Sequence, residues 1–289
     1  MRKLKRPLAW AGVIVFIMLR ILCFLHPLKI YDDPYGSGHL CLAEGRVSDR
    51  YYKNDSYIIE IKNVCIKSYP ADNKKSQVKK EYLRGAICYL KEDSSENLPH
   101  IGQAVALRAK KYTFERARNP GQFDMALYRA IHGNDISLMD AEILQRGKKY
   151  NLYLDGLKIL KEEAGKICAE YLDEEDAGVV DAMLLGNRNN LDSDTKDLYK
   201  RAGIAHILSI SGLHVSIIGL GFYKLLIRIR CHKYLSAGLS FAFVISYAEM
   251  VGGSSSVMRA SVMLAVCISA EIIGRSYDIL SAMSLSMII

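Results

Sequence analysis

The sequence has no Cys-x-x-Cys pair and no cysteine–histidine spacing of the kind that holds zinc, although it contains 7 cysteines and 7 histidines. No metal site is expected, and no cofactor. No small-x-small cleavage site follows the apolar run Leu8 to Leu25, and Cys23 is preceded by Leu22 rather than by a small residue. The run therefore reads as an uncleaved anchor, with a cleaved signal peptide as the alternative. No acidic residue neighbours Ser209 or Ser211 to complete a hydrolytic triad, so the chain is not expected to be an enzyme. Acidic residues are also in deficit: 39 Lys and Arg against 31 Asp and Glu leave a formal charge of +8.

Apolar residues make up 50% of the chain, which is high for a soluble protein of this charge. They concentrate in Leu8–Leu25, Ile204–Ile227, Tyr234–Val251, Val257–Gly274 and Tyr277–Ile289. The last of these is shorter than the roughly 20 residues a span needs, so the sequence reads as cut off inside a membrane helix. Basic residues at Arg2, Lys3, Lys5, Arg6, Arg228, Arg230, Lys233 and Arg275 flank these runs. If basic flanks stay cytoplasmic, the N-terminus is inside and the segment His26 to Gly203 is extracytoplasmic. The expected architecture is α+β: an anchor at residues 1–25, an exported β-barrel domain at 36–150, and a polytopic helical membrane bundle at 151–289, incomplete at its C-terminus.

Between Gly36 and Tyr150, alternating runs separated by polar clusters predict strands over Leu40–Val47, Tyr57–Ile66, Gly85–Leu90 and Gln103–Phe114. A closed or nearly closed barrel removes the edges of so few strands. This segment holds 20 Lys and Arg against 14 Asp and Glu. Arg108, Lys110, Lys111, Arg116 and Arg118 gather at one strand end with Tyr112 and Phe114 among them, a mixture suited to phosphates and unstacked bases. A solvated or membrane-surface face is the competing reading. Cys65 and Cys88 each sit late in a predicted strand and could form a disulfide; free buried thiols are the alternative. After the Pro120-Gly121 turn, Phe123, Leu127, Ala130 and Ile131 recur at helical spacing and predict a short packed helix ending at Gly133.

Beyond Tyr150 the pattern is helical. Leu154, Leu157, Leu160, Ala164, Ile167 and Tyr171 form an amphipathic stripe, a second helix runs from Glu174 to Leu185, and a third starts near Asp192 and stops at Gly203. The 24-residue stretch Ile204–Ile227 has the length of a span yet carries His206, Ser209, Ser211, Gly212 and His214. Polar atoms at that depth face protein or a watery cavity, so these residues are candidates to line a path. Helix packing through glycines is the alternative. His206 and His214 stand roughly 80° apart on an ideal helix and could share one cavity. Arg259, just inside the next-but-one span, either pairs with Glu249 or offers a positive charge to that path.

Leu184-Leu185-Gly186-Asn187-Arg188, the run Gly203 to His214 ending in Ser211-Gly212-Leu213-His214, Gly252-Gly253-Ser254-Ser255-Ser256-Val257-Met258-Arg259-Ala260, and Gly274-Arg275 occur in an order that resembles the ComEC family of DNA-internalisation competence proteins. Asn119 to Asp124 is similar to the turn closing that family's exported OB-like domain. The resemblance implies a multi-pass channel of the cytoplasmic membrane that admits one DNA strand. Its implied partners are single-stranded DNA, membrane lipids, other competence proteins and further copies of the chain. It also implies later membrane helices and a C-terminal metallo-β-lactamase-like domain that are absent from this sequence, so no nuclease chemistry falls to these residues. A membrane-anchored adhesion or assembly module, binding an exported protein or anionic lipid, is the alternative function.

Overall fold

The computed structural model describes residues 7–25, 30–31, 38–53, 56–68, 79–91, 98–187, 191–205, 208 and 210–288. The chain divides into two compact units: residues 27–156, and residues 1–26 together with 157–289.

The first unit is built on five strands: β1 (His39–Lys53), β2 (Ser56–Ser68), β3 (Lys79–Leu90), β4 (Ala104–Thr113) and β5 (Ile136–Arg146). They pair in the closed order β1-β2-β3-β5-β4; β3 and β5 run parallel and the other neighbours antiparallel. Ile59, Ile61 and Ile66 of β2 point inward with Leu107 of β4 and Leu138 of β5, forming the apolar core. β1 shifts register at Glu44/Arg46 and Val47/Asp49, and such bulges add the bend that lets few strands close. A short helix, α2 (Met125–Ile131), lies between β4 and β5. The segment after it crosses β3 so closely that a Cβ on Gly85 would stand 2.6 Å from the Gly133 carbonyl oxygen. Asp135 secures this crossing: its amide donates to the Gly85 carbonyl at 2.9 Å, and its carboxylate receives the Arg84 amide and guanidinium.

The second unit is helical: α1 (Pro7–Leu25), α3 (Leu152–Tyr171, which begins within the first unit), α4 (Glu174–Val180, continued by a π-helical turn Asp181–Leu185), α5 (Ser193–Arg201), α6 (Gly212–Arg228), α7 (Lys233–Met250), α8 (Ser255–Ile273) and α9 (Ile279–Ile288). The Asp192 carboxylate caps α5 through the amides of Asp194 and Thr195. Val215, Tyr223, Val244, Ala248, Leu264 and Ile268 join α6, α7 and α8 in one core. α6 meets its neighbours where side chains are smallest: a Cβ on Gly219 would fall on Leu264 Cδ2 and stand 2.8 Å from Val244 Cγ2. α1 packs on α9, with Gly12 against Ser284.

The expected span Ile204–Ile227 is not one helix. α5 ends at Arg201, Gly203 takes a left-handed conformation, and α6 begins only at Gly212. Ser-Gly favours a helix start over a helix interior, and Ser211 has the extended backbone of an N-cap. Among the described residues one helix, Ser255–Ile273, is long and apolar enough to cross a membrane, with mean hydropathy 1.7. Trp10–Leu22 and Ile279–Ile288 are apolar but shorter.

Candidate functional site

On the barrel, strand alternation sorts the basic cluster of β4 between two faces. Arg108 and Lys110 are exposed, Arg108 opposite Glu142 of β5. Lys110 Nζ meets Asp140 Oδ2 at 2.8 Å, a hydrogen bond that raises the lysine pKa and lowers that of the aspartate. Lys111, expected to face a nucleic acid, is instead 2% exposed. Its ammonium donates to Tyr31 Oη at 2.8 Å and Glu81 Oε2 at 3.3 Å, and the Tyr31 hydroxyl donates to the same carboxylate at 2.7 Å. Burial pushes the Tyr31 phenol up to about 12. Lys111 therefore neutralises a half-buried acid and leaves the candidate DNA surface.

Tyr112 and Phe114 are half-buried, while Arg116 and Arg118 are exposed. Gln122 Oε1 accepts the amides of Arg118 and Asn119 at 3.0 and 3.2 Å, which folds the Asn119–Gln122 turn. The Arg129 guanidinium, absent from the sequence-based candidates, lies over Phe114 at 5.9 Å and Tyr128 at 5.8 Å. A second unanticipated cluster fixes the first turn of α3. Asp155, 2% exposed, accepts from Arg50 Nη1 at 3.4 Å and the Ile101 amide at 3.0 Å, and its Oδ2 is 2.7 Å from His100 Nδ1. Tyr150 stacks on that imidazole at 4.5 Å. Neither Arg129 nor Asp155 belongs to a local motif: Asp155 finds its partners 54 to 105 residues away, and Arg129 lies over the adjacent Tyr128 and over Phe114 at the exit of the preceding strand.

Cys65 and Cys88 are not bridged. Cys88 stands opposite Ile59 in the β2–β3 register and Cys65 opposite Tyr82, so six residues of strand separate them, about 20 Å. Cys88 is sealed in the barrel core, and burial drives its thiol pKa well up.

In the helical unit, His206 and Ser209 lie outside the described residues. Ser211, Gly212 and His214 form the start of α6. His214 Nδ1 accepts the Ser211 amide at 3.2 Å and is 3.3 Å from Ser211 Oγ, so His214 reaches back as Glu or Gln does in a capping box. The amide can only donate, so it engages the lone pair that a serine–histidine dyad would need. Arg259 is exposed; its Nε donates at 3.3 Å to the Ser255 carbonyl one turn earlier, in place of the expected Glu249 partner.

Three segments distant in sequence meet around this helix start. A Cβ on Gly212 would stand 3.3 Å from Ala260, the residue after Arg259. Gly186 sits against Ile210, where a Cβ would be 2.9 Å from Cδ1 of that side chain. The Tyr247 hydroxyl donates to the Leu184 carbonyl at 2.7 Å. Residues 183–289, which carry all three segments, match the family model described as Competence protein. This part of the chain is similar to that family. The match bears out the resemblance read from the motifs.

The chain is also similar to ComE operon protein 3 of Bacillus subtilis, 29% identical over 118 residues that make up 41% of this chain and 15% of that protein. Recombination protein 2 of Haemophilus influenzae is 28% identical over 156 residues, 52% of this chain and 17% of that protein. The matched stretches span only 15% and 17% of these relatives' own lengths. No solved structure matches the chain significantly.

Proposed function

We propose that this chain is a component of a DNA-uptake channel that passes single-stranded DNA across the cytoplasmic membrane. The convergence of the Leu184–Asn187, Ile210–His214 and Val257–Ala260 segments at one end of α6–α8, within the Competence family match, carries this reading. The N-termini of α6 and α8 both lie there, each the positive end of a helix dipole, with His214 and Ser254 already engaging the Ser211 and Val257 amides. Arg259 adds a full positive charge on the surface beside them. A polyanion is the ligand this combination favours. Ser211, Gly212, His214 and Arg259 help to shape the route, and the chain conducts without covalent chemistry of its own.

In the same reading the barrel is OB-like, which its closed order with one parallel pair supports. It lies outside the membrane with the N-terminus inside, and it holds the strand through Arg108, Lys110, Arg116 and Arg118. Helices besides α8 then cross the bilayer, sheltered by one another and by further copies or partners.

The full chain in detergent, titrated with a fluorescent oligothymidylate, tests the barrel's role. Affinity should fall steeply with salt, and Arg108→Ala should reduce the slope of log K against log salt by about 0.7, the share of one phosphate on a single strand. Lys111→Met should leave that slope unchanged. Salt-insensitive binding, or none at low salt, refutes DNA contact by the barrel.

A further inference from the structure

α2 is inside out for a solvated helix. Its small residues face the protein, with Ala126 and Ala130 at 4% and 3% exposure, while Phe123 and Ile131 stand at 63% and 62%. Leu127 and Tyr128 are exposed on the same side, and Met125 beside them. The apolar spacing expected to pack this helix is present, but its large members point away from the barrel. Exposed apolar area of this kind, contiguous and rimmed by charge, marks a surface that something covers.

The face is held in shape. Asp124 caps the helix through the Leu127 amide at 2.8 Å, and the Ala126 amide donates to the Glu115 carbonyl at 3.0 Å. Tyr128 lies between Phe123 and His132, with ring centroids 5.4 and 4.5 Å away. Arg116 and Arg118 are exposed on the segment that leads into the turn, and Arg129 lies across the Tyr128 ring.

We infer that the turn and helix Phe123–Ile131 form a docking surface for the interfacial zone of a lipid bilayer. The side-chain chemistry selects this occupant. Aliphatic Leu127, Ile131 and Met125 offer no flat face to a base, so a nucleic acid would leave most of the patch unused. Aromatic and aliphatic side chains flanked by arginines match the boundary between acyl chains and anionic headgroups. The chain's connectivity supplies the second argument: apolar α1 precedes the barrel, and the amphipathic α3 that follows it opens the part of the chain containing the membrane-length helix α8. This inference rests on the membrane reading above.

The chain's single tryptophan, Trp10 on α1, makes fluorescence a direct test. The full chain is reconstituted in phosphatidylethanolamine–phosphatidylglycerol vesicles containing brominated lipid. Trp10 reports whether the helices enter the bilayer. In a Trp10→Phe background, Phe123→Trp and, separately, Ile131→Trp report on the patch, and Tyr82→Trp on exposed β3 is the aqueous control. The expected result is a blue-shifted emission from positions 123 and 131, quenched by brominated lipid about as strongly as Trp10, with position 82 quenched only by aqueous iodide. If Trp10 is quenched but positions 123 and 131 behave like position 82, the docking surface is refuted and the membrane reading stands. Blue-shifted but unquenched emission refutes it in favour of a protein cover, and protection that appears only on adding oligothymidylate refutes it in favour of DNA. If Trp10 itself escapes quenching, both readings fall.

Discussion

In the barrel unit the buried polar groups include full charges: Arg50 meets Asp155 at 3.4 Å, and Lys111 meets Glu81 at 3.3 Å. In the α6–α8 bundle the deeply buried polar groups among the described residues are instead the hydroxyls of Ser236 and Ser240, which find no hydrogen-bond partner among those residues. Half-buried Ser246 and Ser261 bond back to the Ala242 and Val257 carbonyls of their own helices. A closed barrel of few strands has a small interior, so charges at its seams must find partners when they are covered, and each pair ties two distant segments together. Helices that meet at glycine and serine need no such partners; their backbones satisfy themselves and their contacts come from close approach. The two units therefore respond differently to the same kind of substitution: one fails when a charge loses its counterpart, the other when a small residue gains bulk.

The sharpest test of that contrast is Asp155→Ala. It strands the Arg50 guanidinium in a buried site and removes the acceptor of the Ile101 amide, so barrel stability should fall by about 3–5 kcal/mol. Circular dichroism of the full chain should show the β signal melting early while the helical signal keeps its midpoint. Combining Arg50→Met with Asp155→Leu should recover most of the loss, because an apolar pair needs no counter-charge. Equal loss in the single and double variants would mean that shape, not charge, holds the first turn of α3 in place.

Gly219→Ala probes the other unit. The added methyl meets Leu264 and Val244, and relief requires off-rotamer side chains or a shift of α6, at about 1–3 kcal/mol. The helical transition should move and the β transition stay. Leu264→Ala in the same chain should relieve part of the strain. A chain indifferent to Gly219→Ala would show that α6 does not pack as tightly as its glycine allows.

Much of the barrel is legible from alternation, and its failures have local causes. In β2, Ile59 and Ile61 are buried while Lys62 faces outward, as the pattern requires. β5 escapes because Ile136, Ser137 and Leu138 are buried consecutively, and Met139 and Asp140 are then both exposed. Asp140 takes a left-handed φ of 54° opposite a register shift in β4, and a bulge there erases the two-residue period. Lys111 shows the reverse: its inward position follows from the period of β4, but a count of neighbouring basic residues ignores which way each one points. The break before α6 is harder to see, because a hydropathy average over Ile204–Ile227 cannot register a single Ser-Gly helix start. The α2 face is invisible for a third reason: apolar spacing identifies a stripe, not the side of the molecule it turns to.

That helix start also separates a structural role from a conducting one, with the smallest expected change in stability. If His214 serves only to hold the Ser211 amide, His214→Ala should lower helical stability by about 0.5–2 kcal/mol, and His214→Gln should restore it, since Gln at this position closes the same box. If the imidazole also shapes the route for DNA, the glutamine variant will be as stable as the parent, yet cells that carry it will be deficient in DNA uptake. Uptake that tracks stability in both variants assigns the Ser-Gly-Leu-His segment to helix initiation alone. The α6–α8 bundle would then differ from the barrel only in how it packs, and the path for DNA would have to run past Arg259 without help from His214.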